Sequence, residues 1–126
     1  MNAILKTGKW LFVFSFSFYV LLHLFLGKVG VDKYVPAYFP FPYFINYFTG
    51  ICLLMFIISC IIGKYDQLAA ILLAAYLTLV ILFIHLPKAS DPVELLNVFR
   101  IVNMIGGAFM YALAFAKDKV ITTMAK

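Results

Sequence analysis

Four long apolar stretches divide the chain, and its polar residues are gathered between them rather than alternating through them. The stretches run from Trp10 to Gly27, Tyr43 to Gly63, Leu68 to Leu86 and about Arg100 to Ala116, the last being the shortest and most polar. A membrane span needs about 20 largely apolar residues, within a range of about 17 to 25, and all four qualify. Inside lipid every backbone N–H and C=O must find a partner within the protein, so only helices or a closed barrel can cross. Barrel strands alternate apolar and polar positions, whereas these stretches are continuously apolar. The pattern predicts four transmembrane helices, despite the many Phe, Ile and Val residues that favour strands in water.

The connections between them differ. Only Lys64-Tyr65-Asp66-Gln67 separates the second stretch from the third, so a tight turn is expected there. The first connection, roughly Lys28 to Pro42, holds Pro36, Pro40 and Pro42 among Tyr34, Tyr38, Phe39 and Phe41. Proline blocks helix continuation and aromatic rings favour the bilayer interface, so this stretch is expected to lie along the membrane surface. The third, Pro87 to about Phe99, contains Asp91-Pro92, an N-cap followed by a proline suited to the first position of a short helix. The resulting expectation is an all-α integral membrane four-helix bundle over residues 1–126, with one tight loop and two longer loops on the opposite side.

Composition reinforces this. Of 126 residues, 66% are hydrophobic and 12% charged, and the mean hydropathy is +1.07. Water-soluble domains carry about 25% charged residues, and half that charge cannot cover a wet surface. The stretch from Trp10 exceeds a secretory h-region and Lys28-Val29-Gly30 offers no small-x-small cleavage site, so it is expected to remain as a helix. Cys52 and Cys60 are eight residues apart on one helix, about 12 Å along its axis, too far for a disulfide with each other.

Lysine and arginine set orientation. The end shared by both termini and the tight turn holds Lys6, Lys9, Lys64, Lys117, Lys119 and Lys126, against Lys28, Lys33, Lys88 and Arg100 at the other. This bias favours both termini in the cytoplasm, in a bacterial-type plasma membrane. The formal charge of +5 suits anionic headgroups. Basic residues interleaved with base-stacking aromatics are absent, so nucleic acid is not an expected partner.

Candidate chemistry converges at one depth by topology alone. His23 lies near the end of the first stretch and His85 at the end of the third. Asn46 and Thr49 lie in the first turns of the second, while Arg100 and Asn103 open the fourth and share one helix face. Intramembrane polar groups are costly and usually face a bundle interior or cavity. These six residues therefore suggest a pocket for an amphipathic ligand such as a quinone headgroup or a lipid. The competing reading is interhelical hydrogen bonding, with Arg100 snorkelling to the interface. Haem between His23 and His85 is geometrically feasible, yet no other residue argues for it. A metal site lacks further ligands at that depth. Gly106-Gly107-Ala108 reads as a close-packing surface, and no complete catalytic motif is present.

The order of several short motifs resembles the DoxX-like family of small four-helix membrane proteins. They are Val35-Pro36-Ala37-Tyr38-Phe39-Pro40, Tyr47-Phe48-Thr49-Gly50, Leu68-Ala69-Ala70, Ile84-His85-Leu86-Pro87, Asn103, Gly106 to Ala112, and Ala116-Lys117-Asp118. The resemblance covers about residues 10 to 119. It implies a respiratory-membrane setting, since the family is named for a subunit associated with a quinol oxidase and with thiosulfate:quinone oxidoreductase activity. It transfers no catalytic residue. The expected role is a small accessory subunit or binding protein, associated with other membrane subunits or copies of itself and facing quinone or lipid. A redox enzyme subunit acting on quinone is the alternative. A small-solute transporter is disfavoured, because no inverted repeat or broken span is visible.

Overall fold

The computed structural model describes residues 2–126; Met1 and the side chain of Tyr34 lie outside the described part. The described residues are all-α, with no strand among them. The helices are α1 (Asn2–Phe25), α2 (Gly27–Tyr34), α3 (Pro42–Ile62), α4 (Asp66–Val80), α5 (Pro92–Met110) and α6 (Val120–Met124). A π-helical turn (Ile81–His85) and a 3-10 turn (Leu86–Lys88) prolong α4, and a second π-helical turn (Tyr111–Phe115) prolongs α5. Four helical stretches, Asn2–Phe25, Pro42–Ile62, Asp66–Lys88 and Pro92–Phe115, are long and apolar enough to cross a membrane. The protein is a multi-pass integral membrane protein. Its bare residues fit that setting: Leu11, Phe18, Ile62 and Leu113 are each more than half exposed, as lipid-facing side chains can be.

Tertiary packing divides the chain into two compact units, Met1–Ile62 and Gly63–Lys126. In the first, α1 buries Val13, Phe16 and Val20, and α3 buries Asn46, Thr49, Gly50, Leu53, Phe56, Ile57 and Cys60. Spacings of three and four put each set on one helix face. Phe16 meets Phe56 edge-on with ring centroids 5.5 Å apart, while at the other end of the seam Gly50 abuts His23 and Leu24. Low numbers on α1 thus face high numbers on α3, which makes the pair antiparallel. In the second unit Ala70, Leu73, Ala74 and Leu77 of α4 are buried, as are Ile101 and Ala108 of α5. The alanines let the two backbones approach closely.

Serine and threonine hydroxyls within the spans are satisfied locally. Ser15, Ser17, Thr49 and Thr78 donate to the carbonyls of Phe12, Phe14, Ile45 and Ala74 at 2.6–2.8 Å, the return bond available three or four residues back along a helix.

Three boundaries differ from the apolar pattern. α1 begins at Asn2, eight residues before the first apolar stretch, because helix formation continues past the lipid-like segment. The first connection contains α2, where a surface loop is expected. α5 begins at Pro92 rather than near Arg100, so the third connection shrinks to the 3-10 turn and Ala89–Asp91. Asp91 is the N-cap, accepting from the Val93 N–H at 2.9 Å, and Pro92 is the first helical residue. The cap and proline are those read from the sequence, but the helix they start is the span itself.

The far end of the second unit is closed by a buried polar knot. Asp66 and Gln67, 0% and 2% exposed, receive the chain after α5 ends. The Asp66 carboxylate accepts from the N–H groups of Lys117 and Asp118 at 2.8 and 2.9 Å, from Tyr111 OH at 3.2 Å and from Gln67 N–H at 3.1 Å. Gln67 Oε1 accepts from Ile121 and Thr122 N–H, and its Nε2 donates to the Ala112 carbonyl and Thr122 Oγ1. Every donor and acceptor of that amide is used. Asp118 returns the exchange by accepting from Tyr65 N–H at 2.8 Å. Polar groups bear burial only when paired in this way.

Candidate functional site

Pro87 shapes the end of the third span. It has no N–H to give, and its ring would strike the carbonyl four residues back in a regular α-helix. The preceding turn widens instead: the Leu86 N–H bonds the Ile81 carbonyl five residues back. Single π turns of this kind recur at functional sites, and this one ends on His85.

Across the short connection, Glu94 occupies the third helical position of α5. A Glu there often reaches back to the N–H of the capping residue, but the Asp91 N–H is already bonded to the Lys88 carbonyl at 3.0 Å. The Glu94 side chain is therefore free to pair with His85, and Oε2 lies 2.6 Å from His85 Nδ1. The two side chains are 13% and 17% exposed. An acidic group in the first turn also complements the partial positive charge of a helix N-terminus. With Nδ1 donating to the carboxylate, the ring is oriented and Nε2 is the atom left for a ligand.

The first unit holds a second polar centre. Asn46, 5% exposed, places Oδ1 2.7 Å from His23 Nδ1 and donates through Nδ2 to the His23 carbonyl, also at 2.7 Å. Because Nδ2 serves the carbonyl, Oδ1 is the acceptor and the His23 ring donates from Nδ1. The chain breaks its helix at Leu26, between α1 and α2, and Asn46 takes the carbonyl one turn before the break. Gly27 permits the approach: a Cβ there would stand 2.6 Å from Asn46 Nδ2. Thr49, one turn along α3, is buried and donates to Ile45.

The six residues singled out from the sequence thus fall into distinct settings. His23, Asn46 and Thr49 line the α1–α3 seam of the first unit, and His23 and Asn46 bond each other. In the second unit His85 pairs with Glu94. Arg100 and Asn103 do not join that pair: both are exposed, and Arg100 contacts Asn97 at 3.4 Å. The helix repeat explains this, since at about 100° per residue Asn103 is turned about 180° from Glu94, while Ile101 and Ala108 share the Glu94 face.

Glu94 lies in the third connection, outside the apolar stretches, so reading polar positions within those stretches does not single it out. Asp91-Pro92 was the available signal. A helix starting there puts its third residue opposite the end of the preceding span. Among the described residues no three His, Cys, Asp or Glu side chains gather as a metal site. No family model, no curated protein and no solved structure matches this chain.

Proposed function

We propose that the protein is a membrane-embedded binding or accessory subunit that engages the polar head of an amphipathic ligand through His85, with a quinone as the ligand class. The observation that carries this reading is the His85–Glu94 pair: a carboxylate-oriented imidazole at the end of a span, on a π turn, with Nε2 uncommitted to Glu94. With its proton on Nδ1 the neutral ring accepts through Nε2 from a quinol hydroxyl, whereas only the imidazolium donates from Nε2 to a quinone carbonyl; the surrounding spans suit an isoprenoid tail. Intramembrane ionisable residues usually mark such pathways or sites.

The DoxX-like resemblance supports a respiratory-membrane setting, with partner subunits or further copies of this chain alongside. The distribution of lysine and arginine supports both termini in the cytoplasm of a bacterial-type cell. A binding role is favoured over an enzymatic one, since His85 and Glu94 supply an acid–base pair but the sequence presents no complete catalytic motif.

Protein purified in mild detergent and extracted with organic solvent should release a quinone detectable by mass spectrometry. The amount should fall at least several-fold in His85→Ala and drop in Glu94→Gln, while Arg100→Ala keeps it. Equal quinone in wild type and His85→Ala, with only thermal stability reduced, would show the pair to be a structural hydrogen bond.

A further inference from the structure

The end of the second unit opposite His85 carries a different surface. The turn before α4 uses two left-handed residues, Gly63 at φ 75° and Tyr65 at φ 55°. Gly63 has a second reason to lack a side chain: a Cβ there would stand 2.6 Å from Lys117 Cδ, so the Lys117 stem lies across the turn. Lys117 is held by its own backbone, whose N–H bonds the buried Asp66 carboxylate at 2.8 Å. Tyr65 is held by its N–H bond to Asp118. Lys64 and Lys117 are therefore neighbours on one rim, fixed by the polar knot beneath them.

Lysines outnumber carboxylates at this rim: Lys64, Lys117 and Lys119 stand against Asp66 and Asp118. Both lysines are exposed, and among the described residues neither forms an ion pair. Of the nearby carboxylates, Asp66 is buried and occupied by four hydrogen bonds, and Asp118 accepts from Tyr65 N–H. Lys119 adds charge close by, though its ammonium caps the Leu113 carbonyl at 3.1 Å. Exposed apolar side chains belong to the same end: Tyr65 on the turn, then Leu113, Phe115 and Met124.

We propose that Lys64, Tyr65 and Lys117 form a binding surface for the headgroup of an anionic phospholipid. Three features select this partner. The rim stands where two spans leave the hydrocarbon, at the level of lipid phosphates. Its two ammonium groups complement a phosphodiester, and Tyr65 is an aromatic of the kind that anchors at this depth. The exposed Leu113 and Phe115 suit acyl chains. An acidic soluble partner would need no such apolar border.

The test uses full-length protein, delipidated in detergent and titrated by native mass spectrometry with phosphatidylglycerol, phosphatidylcholine or inorganic phosphate. Phosphatidylglycerol should bind more tightly than phosphatidylcholine. That preference should fall about fivefold per lysine removed in Lys64→Gln/Lys117→Gln, following the usual contribution of a basic residue near an anionic surface. Lys64→Arg/Lys117→Arg should restore it, and Lys28→Gln/Lys33→Gln, equal in charge loss, should leave it intact. The proposal is overturned if the two lipids bind alike or if the glutamine variant keeps the preference. It is equally overturned if inorganic phosphate competes as well as the lipid does, which would make the surface a free-phosphate site.

Discussion

Replacing Gln67 by leucine isolates what the buried knot contributes. The substitution keeps the volume near that of glutamine and removes an amide engaged by four partners. The Ala112 carbonyl, at 3.1 Å, and the Ile121 and Thr122 N–H groups, at 3.1 and 3.2 Å, lose well-formed bonds, whereas the 3.4 Å contact with Thr122 Oγ1 is long and counts little. At about 1 kcal/mol net for each of three bonds, Gln67→Leu should destabilise the closed form by about 3 kcal/mol. The burial of the Ala112 carbonyl opposes rescue by water, while Ile121 and Thr122 are more accessible. The loss should appear first as release of the chain beyond Ala116, because Asp66 and Gln67 are what hold that segment. Trypsin cleavage after Lys117 and Lys119, followed under conditions where opening is fast relative to cutting, reads the open population directly. A 3 kcal/mol change raises it roughly 100-fold, since each 1.4 kcal/mol is a factor of ten. Thr122→Ala, which removes only the long contact with the amide and a local bond to Lys119, should change cleavage by less than about threefold. If Gln67→Leu is cleaved at the wild-type rate, the knot does not hold the C-terminal segment and the reasoning fails.

Other substitutions probe separate links. Asp66→Asn puts an amide NH2 against N–H donors now facing a carboxylate, so it should cost about 2–4 kcal/mol and likewise expose Lys117 to trypsin; wild-type cleavage would contradict it. Asn46→Ala should cost about 2 kcal/mol in reversible unfolding from detergent, one for each bond to His23. Gly27→Ala should cost about 1–3 kcal/mol through its clash with Asn46, and most of that cost should vanish in the Asn46→Ala background; additive effects in the double variant would separate the two residues. Asp91→Ala removes the α5 cap and should cost about 1 kcal/mol in the same assay, with no change disproving the cap's contribution.

The four spans were legible because lipid imposes one simple requirement, continuous apolarity over a fixed thickness, and the chain meets it four times. The boundaries were less legible where helix and hydrocarbon lengths diverge. α5 extends about two turns before its apolar stretch because Asp91 and Pro92 start a helix before it meets lipid. Asn2–Lys9 continues α1 beyond the apolar stretch that begins at Trp10. Of the site, His85 stands out as the one histidine in its apolar run, and His23 and Asn46 are mutual partners. Arg100 and Asn103 were placed by depth alone, and depth ignores helix rotation, which turns Asn103 away from Glu94. Asp66 and Gln67 looked like ordinary turn residues. What makes them buried is the return of the chain after Ala116, a long-range event with no local periodicity to announce it.

The central claim is that His85, oriented by Glu94, presents Nε2 to a quinone-class ligand. It is tested most directly by nitrogen-15 NMR of histidine-labelled protein, delipidated and titrated with a short-chain quinol, the reduced form whose hydroxyl can donate to Nε2. The His85 Nε2 resonance should move saturably, with the His23 resonances fixed and the response weakened in Glu94→Gln. A His85 signal unchanged at saturating quinol, or one that moves no more than that of His23, would contradict the claim.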